Sequence, residues 1–355
     1  MLARRKACRG SLLAGKCSVF VGSFDKMNAI VLETVPCDLC NGSEFEEELI
    51  GIDWEFDGSE QYKVVKCKQC KLIQQNPRPN IDSIKYIYPR RYGFYDSGKA
   101  TALFHRVVKS AFQRLKGNSI QYIHLNRIKK GKVLDVGCGT GSTLYPFGFT
   151  GSLKSLANDG WSAHGCEINQ EAAESGTKSG LEIKVGRLTE VDYDDNYFDV
   201  VRFNHVLEHS VSPLGDLTNA KAILKPGGLL ILSVPNINSA AYKLFGKYWS
   251  GLDLPRHYYF FTPDILEKYF THLGLEVVSD STDSIPDDFI HSLKHFLHSS
   301  LFNRNNLKCE TNNKIVDIFN GRMKASGLLF ALSPIIKFFN QNRLGDNYTV
   351  IAKKR

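Results

Sequence analysis

The sequence contains no long apolar run. A membrane-spanning helix needs roughly 18 or more consecutive apolar residues, and the most apolar stretch, Leu328 to Phe339, is interrupted by Ser333, Pro334 and Lys337. Collagen-like, disordered and coiled-coil classes are excluded as well, because 43% hydrophobic and 23% charged residues over 355 positions are typical of a globular chain. This length suffices for one large domain or two smaller ones.

A disulfide framework is also missing. Nine cysteines are an odd number, and they occur in a long chain without a clean signal peptide. Residues 1–34 are interpreted as an unstructured or presequence-like extension, because five basic residues precede the first acid, Asp25. We therefore expect a cytoplasmic protein, with organellar targeting by residues 1–26 as the open alternative.

Charge is unevenly distributed along the chain. The net charge is +8 overall, but residues 131–284 carry −7, so that both flanks are basic. Basic flanks attract phosphate and leave a nucleic-acid partner open. Solvated surface is the simpler explanation.

Four of the cysteines form two Cys-x-x-Cys pairs, Cys37 with Cys40 and Cys67 with Cys70. Two such pairs supply four thiolates, the ligand set of a closed, tetrahedral structural zinc site. A redox dithiol is the alternative, but it needs only one pair. The spacing predicts a zinc-ribbon-like unit over residues 35–80, with a structural and non-catalytic metal.

Strand-like and helix-like segments alternate from Lys132 onward, which predicts an α/β fold with a doubly wound parallel sheet. Residues 81–130 are predicted to form a helical connector, residues 131–284 the sheet domain, and residues 285–355 a helical cap with a final strand. A helix over Thr262–Leu273 has Thr262 as N-cap, Pro263 at its first position and Gly274 as its stop. The predicted strands are Val133–Val136, Ser162–Glu167, Glu182–Val185, Val200–Asn204, Leu229–Val234, Leu275–Ser279 and Tyr348–Ala352.

A glycine-rich loop follows the first of these strands, with glycines at 137, 139 and 141. The spacing is neither that of a dinucleotide-binding loop nor that of a phosphate-binding P-loop, so a pyrophosphate ligand is disfavoured. Asp135 before the loop suits a cationic amine, and Glu167 at the end of the second strand can accept hydrogen bonds from ribose hydroxyls. These two acids together fit S-adenosylmethionine.

This stretch resembles motif I of the class I S-adenosylmethionine-dependent methyltransferases. Three further segments resemble that family in the expected order, namely Asn196–Val201, Asn204–His209 and Leu224–Leu230. The resemblance implies a Rossmann-like sheet of seven strands whose last strand is antiparallel, with S-adenosylmethionine as cofactor.

The resemblance also implies roles for individual residues. Asp135, Gly137 and Gly139 would hold the methionine part of the cofactor, and Glu167 would hold the ribose. The adenine would lie beside Ile168, Arg187 and Leu188, and Asn204 is the remaining predicted contact.

The chain departs from the family pattern in two places. Arg187 stands where the family often has an acid. In addition, Pro and Gly residues within Tyr145–Gly151 interrupt the helix expected after the glycine loop. Either an inserted loop covers the cofactor, or the helix begins only near Ser152.

Three histidines are candidate catalytic residues. His205 and His209 lie in a His-x-x-Glu-His segment, which formally matches a zinc-peptidase pattern but lacks its distal acid. On a helix start these two side chains would share one face. His257, in a loop after the fifth strand, is the better candidate for a general base, because histidine titrates near neutral pH. The alternative for all three is ordinary packing.

The sequence therefore predicts methyl transfer to a small-molecule or glycan-type acceptor, with O-methylation favoured and C-methylation possible. A zinc ribbon before such a domain is similar to methyltransferases of sugar and polysaccharide pathways, and Val206–His209 is similar to quinone-pathway O-methyltransferases. Two alternatives remain: an RNA methyltransferase that uses the basic flanks, and a non-enzymatic zinc-bearing interaction module. Peripheral membrane contact through the C-terminal cap is a further open possibility.

Overall fold

A computed structural model describes residues 30–56, 58–88, 124–125, 127–142, 152–284, 286–301 and 333–355. Most of the predicted N-terminal extension, most of the helical connector and the interrupted segment 145–151 lie outside these residues. No helix within the described ranges is long and apolar enough to cross a membrane.

The larger of the sheets has seven strands in the order β12-β13-β10-β9-β6-β7-β8. The strand β13 runs opposite to the other six: it pairs antiparallel with both β10 and β12, whereas β10, β9, β6, β7 and β8 pair in parallel. This arrangement confirms the predicted α/β fold with an antiparallel last strand. The strands are β6 (Lys132–Val136), β7 (Ser162–Glu167), β8 (Glu182–Val185), β9 (Phe198–Asn204), β10 (Leu224–Pro235), β12 (Leu275–Asp283) and β13 (Asn347–Lys354).

Apolar side chains from both faces of this sheet are buried. The central strands β6, β9 and β10 carry nearly continuous apolar runs, as expected for strands covered on two sides.

The described helices are α1 (Ile84–Ile87), α2 (Leu153–Asn158), α3 (Gln170–Lys178), α4 (Pro213–Ile223), α5 (Ala240–Phe245), α6 (Pro263–Leu273), α7 (Pro286–Leu301) and α8 (Ser333–Gln341).

The helix ends follow local sequence signals. The Thr262 hydroxyl accepts a hydrogen bond from the Ile265 N–H, and Gly274 ends α6 with φ of +64°. Ser152 caps α2 by accepting from the Ser155 N–H, so the first described helix after the glycine loop begins at Leu153. A helix start near Ser152 is therefore present, whereas the alternative of an inserted loop concerns residues outside the described ranges.

A second sheet joins the N-terminal unit to the larger domain. Its four strands lie in the order β11-β4-β3-β2, and they comprise β2 (Phe45–Ile52), β3 (Gln61–Cys67), β4 (Ile73–Gln75) and β11 (Tyr259–Phe260). The strand β11 comes from the loop after β10, and it pairs antiparallel with β4. A short two-stranded sheet, β1 (Leu32–Glu33) with β5 (Arg78–Pro79), lies beside it. The cysteine-containing unit therefore shares a sheet with the larger domain.

Asp38, inside the first Cys-x-x-Cys pair, fastens this unit to the larger domain. Its carboxylate accepts hydrogen bonds from the Ser212 hydroxyl, the Leu214 N–H and the Tyr269 hydroxyl, each at 2.8 Å. Leu214 lies in the first turn of α4, where a negative charge interacts favourably with the helix dipole. One acid thus contacts both α4 and α6.

We expect Asp38→Ala to lower the free energy of unfolding by about 2–3 kcal/mol, because three donors lose a charged acceptor. Chemical denaturation measures this change. Glu44→Ala is the matched control in the same unit: its side chain is 81% exposed and its ion pair with Lys68 spans 3.6 Å. Equal stability of the Asp38 and Glu44 variants would contradict the role given to Asp38.

Candidate active site

The glycine loop adopts backbone conformations that favour glycine. Gly137, Gly139 and Gly141 have φ of +65°, +57° and +66°. A Cβ atom on Gly137 would lie 2.6 Å from Cγ2 of Val206, so a larger residue would collide with the segment after β9. The loop and the histidine-containing segment are therefore in direct contact.

Glu167, at the carboxyl end of β7, binds the glycine loop. Its Oε2 accepts a hydrogen bond from the Gly139 N–H and its Oε1 accepts one from the Asn169 N–H, both at 2.8 Å. Burial raises the pKa of this carboxyl, and the backbone donors act in the opposite direction. Ile168, the next residue, is 51% exposed, so an apolar surface lies beside the acid.

Asp135 forms a buried ion pair that the sequence reasoning missed. Its carboxylate accepts hydrogen bonds from Nε of Arg202 at 2.8 Å and from Nη2 at 2.6 Å. The two residues are direct partners in the parallel pairing of β6 with β9. One signal was present in the sequence: Arg202 is a charge inside the apolar run Val200–Phe203, and a buried charge requires a partner.

The remaining residues predicted to bind the cofactor are Asn204, Arg187 and Leu188, and they lie in different surroundings. The Oδ1 atom of Asn204, at the end of β9, is buried and has no hydrogen-bond partner among the described residues. Leu188 is only 4% exposed and packs in the core, and Arg187 pairs with Glu190 at 2.9 Å. The Asn204 amide fits a bound ligand, whereas Leu188 faces the protein interior.

The three histidines occupy two different environments. His205 has φ of +55°, and its Nδ1 lies 3.4 Å from Oε1 of the buried Glu208. The short 3₁₀ turn Leu207–His209 begins after His205, so the two histidines do not share a helix face as the sequence predicted. His209 packs instead against His257, with ring centroids 4.5 Å apart.

His257 is held as a neutral imidazole. Burial, followed by the nearby His209, lowers its pKa to about 4, so this ring does not titrate near neutral pH, contrary to the expectation from the sequence. Its Nδ1 lies 2.9 Å from the Gly251 carbonyl oxygen, and because a carbonyl only accepts, Nδ1 carries the proton. The Nε2 atom is then the proton acceptor, and it lies 3.8 Å from Oδ2 of Asp253.

Arg256 ties the His257 loop to the N-terminal unit. Its guanidinium is 1% exposed and donates to Asp253 at 2.6–2.8 Å and to both carboxylate oxygens of Asp53 at 3.0 Å. Its carbonyl oxygen lies 3.0 Å from Nδ1 of His209. The conformation of the loop therefore depends on an acid from the cysteine-containing unit.

Backbone hydrogen bonds extend this connection. The Gln75 N–H on β4 donates to the Tyr258 carbonyl, and the Tyr258 N–H donates to the Glu208 carbonyl, both at 2.8 Å. The N-terminal sheet, the His257 loop and the Glu208 turn thus form one hydrogen-bonded assembly.

The four predicted metal-ligating cysteines come together. Their sulfur atoms lie within 4.8 Å of one another, with Cys37 and Cys70 at 3.3 Å and Cys40 and Cys67 at 3.5 Å. Both pairs use the same turn, in which the residue after the second cysteine, Asn41 or Lys71, has positive φ. The donor set and its geometry fit a thiolate-bound metal ion.

One other group among the described residues has metal-binding potential. Oxygen and nitrogen atoms of Glu208, His209 and His257 lie within 4.8 Å of one another. In the four-cysteine group, burial raises the pKa of the Cys37 thiol and raises that of the Cys70 thiol to about 11, whereas at Cys67 burial is outweighed by N–H donors from Cys70 and Gln69, which lower the pKa of the Cys67 thiol to about 7. An easily ionised thiol suits metal binding.

Comparison with known proteins agrees with this architecture. The family model described as "Methyltransferase domain" matches residues 107–280. Together with the strand order of the larger sheet, this match identifies residues 107–280, just under half of the chain, as a class I S-adenosylmethionine-dependent methyltransferase domain.

Individual relatives are similar over part of their length. The "Ubiquinone biosynthesis O-methyltransferase" of Dinoroseobacter shibae is 34% identical over 162 residues, which cover 43% of this chain and 63% of the relative. That of Cereibacter sphaeroides is 33% identical over 156 residues, covering 41% and 61%. The chain thus spans less than two thirds of these relatives. A solved S-adenosylmethionine-dependent methyltransferase from Archaeoglobus fulgidus aligns with a TM-score of 0.42 at 19% identity, over 70% of this chain and 94% of that chain.

We expect Arg256→Met to lower the free energy of unfolding by about 3–5 kcal/mol, because two largely buried carboxylates, Asp53 and Asp253, would lose the guanidinium that lies between them. Urea titration measures the change. Arg355→Met is the control, since its ion pair with Glu276 spans 3.4 Å at the surface and its loss should leave stability unchanged. A stable Arg256→Met protein would contradict the structural importance of this ion pair.

Proposed function

We propose that this protein transfers the methyl group of S-adenosylmethionine to an oxygen atom of a small-molecule or glycan-type acceptor. The observation that carries the proposal is the neutral ring of His257, whose Nε2 atom is the proton acceptor. The His257 loop is hydrogen-bonded to the Glu208 turn, and Val206 beside that turn contacts the glycine loop. The O-methyltransferase names of the relatives support oxygen as the methylated atom. C-methylation is the second candidate.

The residues present fit the cofactor. Asp135 and the Asn204 amide oxygen supply acceptors for the ammonium group of its methionine part. Gly137 and Gly139 allow close approach to the backbone, Glu167 lies where ribose hydroxyls would donate, and exposed Ile168 offers an apolar surface to the adenine. A backbone contact from Arg187 would complete the adenine side.

The bound cofactor supplies a methyl group that is already activated by a positively charged sulfur. The protein therefore has to position the acceptor, exclude water and remove one proton. We assign proton removal to Nε2 of His257, because the Gly251 carbonyl holds the opposite nitrogen as the donor. His209 orients this ring through its packing, and His205 stays with Glu208.

The C-terminal cap supports the His257 loop. In α7, the Ser292 hydroxyl accepts from the Ser250 N–H at 2.9 Å, and Nδ1 of His295 lies 3.2 Å from the Tyr248 carbonyl oxygen. The turn Ser250–Leu252 that carries the Gly251 carbonyl is therefore packed against α7. We propose that this helix forms a wall of the acceptor pocket.

His257→Asn should lower kcat about 100- to 10,000-fold, because a positioned base contributes by that factor. Its affinity for S-adenosylhomocysteine should stay unchanged in calorimetry. His272→Asn, on the exposed end of α6, should alter neither quantity.

The assay supplies labelled methyl donor together with sugar, quinone-precursor and RNA pools. Label in the small-molecule or glycan fraction is the expected result. Label in RNA would favour the RNA methyltransferase alternative, and a wild-type chain that does not bind S-adenosylhomocysteine would favour a non-enzymatic module.

We further propose that the four cysteines bind one structural zinc ion. Four thiolates close the coordination sphere and leave no position for a substrate or water. Cys37 and Cys67 are buried, and Nζ of Lys268 on α6 donates to the Cys70 carbonyl at 2.8 Å, which supports a role in stability.

Elemental analysis should return one zinc ion per chain. Cys37→Ser should lose the metal and shift thermal unfolding to lower temperature, because metal binding contributes folding free energy. Cys138→Ser, in the glycine loop, is the control and should retain the zinc. A folded wild-type chain without metal would refute the zinc proposal.

A further inference from the structure

Glu208 is a buried carboxylate that no hydrogen bond satisfies. Its side chain is 1% exposed, and neither of its carboxylate oxygens has a hydrogen-bond partner among the described residues. Nδ1 of His205 lies 3.4 Å from Oε1, which is a long ion-pair contact on one side of the carboxylate. Buried charges in proteins are paired and hydrogen-bonded or they bind metal ions, so Oε2 calls for a further partner.

Two histidine rings meet this carboxylate. One carboxylate oxygen of Glu208 and one ring nitrogen each of His209 and His257 lie within 4.8 Å of one another. One ion can bind three donor atoms at this spacing after small side-chain movements, since zinc–nitrogen and zinc–oxygen bonds are about 2.0–2.2 Å long. Among the described residues, the four cysteines form the other group of this kind.

Both rings are already oriented as metal ligands are. Nδ1 of His257 donates to the Gly251 carbonyl at 2.9 Å, and Nδ1 of His209 donates to the Arg256 carbonyl at 3.0 Å, with the Tyr88 hydroxyl 2.9 Å from the same nitrogen. A histidine that binds a metal ion through one nitrogen almost always donates from the other to a carbonyl or a carboxylate. These backbone contacts leave the lone pair of each ring on Nε2.

The donor set indicates the kind of ion. Two imidazoles and one carboxylate suit zinc and other first-row divalent ions. Three protein ligands leave at least one coordination position open, whereas the four cysteines leave none. The carboxylate offsets part of the charge of the ion, and the ion supplies the partner that Glu208 lacks.

We propose that Glu208, His209 and His257 form a second, open metal site that binds zinc, and that zinc bound there inhibits methyl transfer. The lone pair on Nε2 of His257 is the one assigned to removal of the acceptor's proton, and it cannot hold a proton and a metal ion at the same time. The inhibition therefore rests on the proposed function, whereas the binding of the ion does not.

Equilibrium dialysis of the full chain against zinc, followed by elemental analysis, tests the binding. The wild-type chain should hold one ion at low zinc concentration, in the four-cysteine group, and a second ion at higher concentration. Glu208→Gln preserves the shape of the side chain and should weaken binding of the second ion by more than about 100-fold, since even the loss of an outer-shell partner costs about 10- to 100-fold. Glu276→Gln, the same change at a surface ion pair with Arg355, should keep both ions.

Cobalt(II) gives a readout that is independent of activity. Added to the chain that already holds zinc at the cysteines, it should produce visible ligand-field bands without the thiolate charge-transfer bands that cysteine ligands cause. His209→Asn should abolish these bands. His272→Asn, at the exposed end of α6, should leave them unchanged.

The inhibition is measured in the methyl-transfer assay. The wild-type rate should fall about 100- to 10,000-fold when zinc fills the second site, because the contribution of the positioned base is lost. A chelator that removes the second ion and leaves the cysteine-bound ion should restore the rate.

Two results would overturn the inference and leave the proposed function intact: a wild-type chain that saturates at one zinc ion, or a second ion that Glu208→Gln binds equally well. A second ion that binds and raises the rate would overturn both the inhibition and the role of His257 as base. A chain that transfers no methyl group to any acceptor would refute the proposed function, while dialysis would still decide whether the site binds zinc.

Discussion

The parallel register of the central strands is the constraint on which the rest of the site depends. β6, β7, β9 and β10 run in the same direction, so their carboxyl ends meet at one edge of the sheet. The glycine loop, Glu167 and the segment that begins at Asn204 are far apart in sequence, yet each follows a strand end. Hydrogen-bond pairing alone therefore places the proposed cofactor-binding residues side by side.

A second layer of contacts sets the orientation of the candidate base. Arg256 lies between Asp253 in its own loop and Asp53 in the cysteine-containing unit, and its carbonyl oxygen contacts His209. The N-terminal unit also contributes three strands to the sheet that β11 completes. It is therefore part of the framework of the site, and the contacts of Asp38 with α4 and α6 serve the same end.

Local patterns predicted much of this arrangement. Alternating apolar strands and helices gave the order of the elements, and the bounds of β7 and β8 agree with the sequence prediction because turn residues flank both strands. The Cys-x-x-Cys spacing predicted the four-cysteine cluster, since each pair forms its turn locally. The predicted helix face shared by His205 and His209 was wrong, because His205 adopts a left-handed conformation before a 3₁₀ turn.

The sequence by itself determined which strands form, where the glycine loop lies and which cysteines share a Cys-x-x-Cys turn, because these features depend on neighbours within a few residues. Only the tertiary structure decided that Asp135 meets Arg202, that Asp53 meets Arg256 and that His257 is neutral. Those outcomes depend on burial and on partners 67 or 203 positions away. The energy of a buried charge is set by the groups that fold around it, and sequence spacing carries no record of them.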